Sequence, residues 1–409
     1  MITRNVAIFL TLLAATSLYA QGTFPLKFRD LDESVQVEAE QSCVEVLSTT
    51  EPKVKPLPSE GKAAIAYFPH EFLGKTVWFA VVYADPPKLY VDTNLDGNLA
   101  DEKPILATPA PLPKNRPDPS GYGSWRVTFG VVSLALGRTP VRFRADTYSP
   151  KVLTQPRPLF LSSPGYVTSE VKLRGKPHSV ALLDGGVNGR YDDFSVPPTA
   201  ADAADRLAIA PVAGESPAGA VPQPQWSFSP LCKMVVVDGY CYGVSVRPDG
   251  SEIVLTSLNK ACGTLDIAWP GISMVLTSEN GRYIPQFRDG KVQLPPGIYK
   301  CESLWLKKTD ADGVTWSLRA RLGPGGIGEF AMRPGQVLRK KLGPPFVMRP
   351  LVGADAVSLL FADSSGQEYW PAVYKSVQFT EYHEFTDYPK IEILDSRGKT
   401  LEEGTFRFG

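Results

Sequence analysis

Val235-Val236-Val237-Asp238-Gly239-Tyr240-Cys241-Tyr242 is the stretch whose pattern settles the fold class. Three β-branched residues lead into Asp-Gly, and Tyr-Cys-Tyr leads out, which is the pattern of two strands joined by a two-residue turn. That register pairs Val236 with Cys241 and Cys232 with Ser245. Cys232 then lies four residues along its strand from the partner of Cys241, roughly 13 Å at about 3.3 Å per residue, beyond the reach of a disulfide.

The same grammar extends in both directions. Residues 77–83, 125–131, 141–145, 166–173 and 180–183 are short apolar or alternating runs with β-branched or aromatic members. Later turn signals fall at Asp249-Gly250, Asn280-Gly281, Asp312-Gly313, Ser365-Gly366 and Arg397-Gly398. Only residues 200–210 have a helical composition, and that stretch runs into Pro211 before an amphipathic face develops. The predicted class is all-β and multidomain, with antiparallel β-sandwich modules, long loops and little helix.

The composition agrees. Among 409 residues, 38 are Pro and 35 are Gly, well above average usage, which disfavours long helices. Basic and acidic residues both number 43, so no positive excess exists to grip nucleic acid. Residues 1–20 read as a secretory signal, with Arg4, an apolar core and Ala20 before the cut. The longest apolar run after it, residues 77–84, falls short of the roughly 20 needed to span a bilayer. A periplasmic or extracellular chain with no membrane span in its mature form is expected. Its five cysteines are an odd number and read mainly as buried small apolar residues.

The residues that carry chemistry are acidic. In Asp92-Thr93-Asn94-Leu95-Asp96-Gly97-Asn98-Leu99-Ala100-Asp101-Glu102, oxygen side chains stand at positions 1, 3 and 5, Gly at 6 and an apolar residue at 8. Alternate side chains of a tightly turning loop point inward, and Gly97 permits the reversal that gathers them round one hard cation. Asp92, Asn94 and Asp96 would bind through side chains and Asn98 through its carbonyl. This resembles the calcium loops of EF-hand and dockerin proteins. Position 12 is Lys103 instead of Glu, which leaves Asp101 or Glu102 to close the shell. Pro86 and Pro87 stand where an EF-hand has its entering helix, so the loop is expected to hang on strands.

A second loop repeats the frame: Asp184-Gly185-Gly186-Val187-Asn188-Gly189-Arg190-Tyr191-Asp192-Asp193. Asp184 is at position 1, Asn188 at 5, Gly189 at 6, Arg190 at 7, Tyr191 at 8, and Asp192 and Asp193 follow; Gly186 at 3 offers no oxygen. The expected cofactor is Ca2+, more firmly at the first loop, at the strength of extracellular modules, about 10⁻⁴ to 10⁻³ M. Asp310 and Asp312 read as an ordinary hairpin tip.

Further on, residues 271–299 run strand, Asn-Gly turn, strand and Leu-Pro-Pro-Gly-Ile-Tyr. They resemble the carboxypeptidase-regulatory or prealbumin-like β-sandwich, which implies an accessory role. Residues 389–394 and 405–408 read as strands of an immunoglobulin-like module. Domains are therefore expected at 21–258, 259–343 and 344–409.

Hydrolase motifs such as His-Glu-x-x-His, Gly-x-Ser-x-Gly and the phosphate-cradling loop do not occur. His70, His178 and His383 sit in no catalytic pattern, and Glu381-Tyr382-His383-Glu384 reads as a solvated edge strand. The leading expectation is a non-enzymatic calcium-binding structural or ligand-binding protein with a protein or polysaccharide partner. The alternative is a polysaccharide-acting hydrolase or its carbohydrate-binding accessory, since two carboxylates on separate strands suffice for that chemistry.

Overall fold

The computed structural model describes residues 21–31, 44–50, 52–58, 63–109, 126–136, 140–148, 158–196, 204–212, 226–269, 271–309, 315–322, 327–343, 345–352, 357–376, 390–394 and 399–405. The signal segment, Cys43, Asp310, Asp312 and the Glu381–Glu384 group lie outside them. Strands make up 61% of the structure, and no helix reaches seven residues, as expected of an all-β chain. No helix among the described residues is long and apolar enough to cross a membrane.

The Val235–Tyr242 hairpin forms in the expected register, Val236 opposite Cys241, with Asp238 and Gly239 at φ 49° and 83°. These are the two left-handed positions of a primed turn, which matches the twist of the strands it joins. Cys232, Cys241, Cys262 and Cys301 are all free and buried.

Three pairs of sheets build the chain. In the first, the order Val44–Val46, Leu159–Ser162, Val141–Tyr148, Arg126–Leu134, Thr108–Pro109 faces Ile65–Phe72, Lys75–Val82, Lys88–Val91, Ile105–Leu106. Phe72 stacks on Phe143 with ring centroids 5.0 Å apart, and Phe79 meets Phe143 edge-on at 5.6 Å in their shared core. The second pair packs Ser229–Pro230, Arg206–Pro211, Lys176–Leu183, Gly165–Leu173, Lys27–Asp30 on Gln21–Pro25, Glu252–Ala261, Tyr240–Val246, Met234–Val237. Val180, Leu182, Leu231, Ile253 and Leu255 fill that core. Residues 21–258 thus contain two sandwiches, each with its own large core and a smaller apolar cluster beside it, and the N-terminal strands close the second.

The third pair sets Lys291–Leu294, Gly263–Ile267, Val337–Lys340 against an eight-stranded sheet. Residue 258 lies inside the strand Glu252–Ala261, just before this unit begins. The position expected as a boundary near 343 runs through one sheet, because Thr315–Ala320 pairs antiparallel with Glu368–Ser376. Long-range ladders, invisible to local pattern, decide that. Lys390–Leu394 and Thr400–Thr405 form a separate hairpin.

Candidate functional site

Both acidic loops hang on strands. The first leaves Lys88–Val91 and returns through Ile105–Leu106, which pairs back onto the strand it left. Asp92 N–H donates to the Trp78 carbonyl at 2.9 Å and fixes the start of the turn. Leu95 and Gly97 take the left-handed conformation, φ 61° and 74°. Gly97 N–H donates to Asp92 Oδ2 at 3.2 Å, and Asn98 N–H to Asp96 Oδ1 at 2.7 Å. Asn94 joins by accepting from Asp96 N–H at 3.1 Å and donating its amide to Asp96 Oδ2 at 3.0 Å.

Glu102, not the exposed Asp101, folds back: Thr93 N–H and hydroxyl donate to its carboxylate at 2.6 and 2.9 Å. Leu99 anchors the far side, fully buried with Leu57, Ala80, Val82 and Tyr90. Asp92 is only 2% exposed, and its Oδ1 has no hydrogen-bond partner; the buried Asn98 Oδ1 has none either. Burial, reinforced by the Asp96 and Glu102 charges, holds the Asp92 carboxyl above the usual range.

The second loop has the same frame. Val187 and Gly189 are left-handed, φ 49° and 77°. Gly189 N–H donates to Asp184 Oδ2 at 2.8 Å and Arg190 N–H to Asn188 Oδ1 at 2.8 Å, the same two bonds as in the first loop. The matching geometry follows from the shared Asp, Asx and Gly at positions 1, 5 and 6. Here, however, the loop supplies its own partners. Asn188 N–H donates to the other Asp184 oxygen at 3.2 Å, and the Asn188 amide donates to Asp193 Oδ2 at 2.6 Å. The Arg190 guanidinium pairs with Asp192 Oδ2 at 2.8 Å, and Asp192 Oδ1 stays buried without a partner.

Asp205, which the sequence did not mark as a site residue, completes this cluster. Its oxygens accept from Gly185 N–H at 3.1 Å and Asp193 N–H at 2.8 Å. Burial, then the Asp193 charge, pushes the Asp184 carboxyl up to about 7; burial and Asp184 raise Asp205 well above the carboxylate range. The only local signal was an acid at the mouth of the apolar strand Arg206–Pro211. His70 Nε2 lies 3.0 Å from the Val187 carbonyl, and Leu73 N–H donates to Asn188 O at 2.9 Å, so the loop rests on the Ile65–Val82 hairpin.

No family model, curated protein or solved structure matches the chain. The chemistry therefore rests on the residues themselves. Among the described residues, no three His, Cys, Asp or Glu side chains are gathered as a ready metal cage. The first loop offers a different donor set, in which Asp92, Asp96 and the Asn94 Oδ1 supply oxygens, two orphaned acceptors are among its atoms, and no cationic side chain among the described residues is paired with it. All-oxygen donors suit a hard divalent cation.

Proposed function

We propose that this is an exported, non-enzymatic β-protein whose first acidic loop binds calcium and is pinned by it between strands, in a structural or ligand-binding role. The observation that carries the reading is the buried Asp92 Oδ1 without a donor. A carboxylate oxygen withdrawn from water is costly until a positive group meets it. A calcium ion held by Asp92, Asn94, Asp96 and the Asn98 carbonyl would meet it, with Glu102 released from Thr93 to close the shell. The second loop carries the same frame, yet Asp184 and Asp205 already have their oxygens bonded, which favours the first loop as the ion site. The strand pattern of residues 271–299 supports an accessory, carboxypeptidase-regulatory-like role for the third sandwich, with an immunoglobulin-like tail.

Calcium titration with a thermal readout on the wild type, Asp92→Asn and Asp96→Ala tests this. Calcium at ten times its dissociation constant should add about 1.4 kcal/mol to the wild type and nothing to either variant. A melting curve unmoved by chelator and by excess calcium sinks the proposal.

A further inference from the structure

The four-stranded sheet of the first sandwich is apolar on both faces. Alternation along Lys75–Val82 sends Val77, Phe79 and Val81 into the core shared with Phe143, and Trp78, Ala80 and Val82 to the other side. Tyr67 and Tyr90 of the neighbouring strands join them there. The cover on that outer face is small. Apart from the sheet and the alanines flanking its strands, the cluster draws only on Val54, Leu57 and Leu99 among the described residues. Leu99 belongs to the first acidic loop, and Val54 and Leu57 to a strap over residues 52–58.

The strap is tied to that loop. Pro52, Pro56 and Pro58 have no N–H to hold it down. Leu57 N–H donates to the Tyr67 hydroxyl at 3.0 Å, and Lys55 N–H donates to the Gly97 carbonyl at 2.7 Å. The Gly97 turn in its own right hangs on carboxylates, through Gly97 N–H on Asp92 Oδ2 and Asn98 N–H on Asp96 Oδ1. Whatever steadies Asp92 and Asp96 therefore steadies the strap. Two demands compete at this turn. The like charges of Asp92, Asp96 and Glu102, and an Asp92 Oδ1 that is buried without a partner, favour swinging the turn out into water. Burial of Leu57 and Leu99 against Ala80, Val82 and Tyr90 favours keeping it closed. A divalent cation among the carboxylates removes the first demand and leaves the second.

We propose that calcium in the first loop is the latch of this strap. Bound, it keeps Val54 and Leu57 down on the sheet; released, it lets the Gly97 turn open and uncovers the apolar face around Ala80, Val82 and Tyr90. The inference rests on the calcium reading and adds what the ion regulates, namely access to the outer face of one sheet.

Amide hydrogen exchange read by mass spectrometry on the full chain tests it, with calorimetry reporting calcium binding separately. At calcium ten times its dissociation constant, exchange at Lys55 and Leu57 should be about tenfold slower than in chelator, because opening must first release the ion. Exchange in the Lys176–Leu183 strand of the second sandwich should not change. Asp96→Ala should lose the slowing. Leu57→Ala leaves every oxygen donor of the loop in place, yet it should bind calcium severalfold more weakly, since coupling between strap and ion is reciprocal. If that variant fails to fold, the exchange comparison on the wild type carries the test. Calcium binding with unchanged exchange at Lys55 and Leu57 overturns the latch and leaves the calcium reading standing, as does equal slowing of Lys176–Leu183. Absence of calcium binding in the calorimeter removes both.

Discussion

Val187 and Tyr191 belong to one turn of the second acidic loop, yet Val187 is buried in the core of the first sandwich and Tyr191 packs against the core of the second. The loop therefore rivets two sandwiches together. Its tight turn, held by Asp184 and Asn188, is what lets neighbouring side chains leave in opposite directions.

Truncating the rivet should loosen both sides. Val187→Ala removes two methyl groups from a position 1% exposed and should cost about 1 to 2 kcal/mol. Gly189→Ala places a Cβ 2.8 Å from Val141 Cγ2 at φ 77° and should cost more. Urea unfolding followed by intrinsic fluorescence measures both, and values within 0.3 kcal/mol of zero would refute the role.

In the first loop, Gly97→Ala separates conformation from packing. Its added Cβ meets only Val54, at 3.9 Å, so the cost of about 1 kcal/mol is that of the left-handed backbone. Calcium should recover part of it if the ion organises the loop, which a melting experiment with and without calcium reads directly.

Stability should fall as pH rises from about 4 to about 7. The Asp184 carboxyl sits at about 7 in the folded chain against 3.8 as its ordinary value, so between them the folded state holds more protons than the unfolded one. The penalty is absent below this window and complete above it. Denaturation midpoints across the range, measured in chelator, should slope less in Asp184→Asn; an unaltered slope would assign the effect elsewhere.

Thiol chemistry should be silent until unfolding. Burial pushes Cys232 and Cys301 up to about 12 and Cys241 to about 11, leaving almost no thiolate at neutral pH. An aromatic disulfide reagent should modify none of Cys232, Cys241, Cys262 and Cys301 in the native chain and all four in denaturant. Peptide mapping of the labelled sites checks this.

Asp363 should be the most sensitive acid of the third sandwich. Its carboxylate accepts from Gly343 N–H at 2.9 Å, Ser365 N–H at 2.9 Å and hydroxyl at 2.6 Å, Gln367 N–H at 3.1 Å and Tyr369 hydroxyl at 2.8 Å. Asp363→Ala strands those donors in a buried place and should destabilise by about 3 kcal/mol or more.

The sequence by itself determined what is local. Asp238-Gly239 demands two left-handed residues, which sets the Val236 to Cys241 register and keeps Cys232 from Cys241. The spacing of Asp92, Asp96 and Gly97, echoed by Asp184, Asn188 and Gly189, likewise dictates the two turn hydrogen bonds the loops share, because their partners lie two and five residues apart. Only the tertiary structure decided what depends on distant segments meeting. It placed two sandwiches within residues 21–258, carried one sheet across residue 343, and brought Asp205 to Asp184. It also left Asp92 Oδ1 buried without a donor and gathered Leu57 with Leu99 on the outer face of a sheet. Burial and sheet order are sums over the whole chain, so no short stretch of sequence records them.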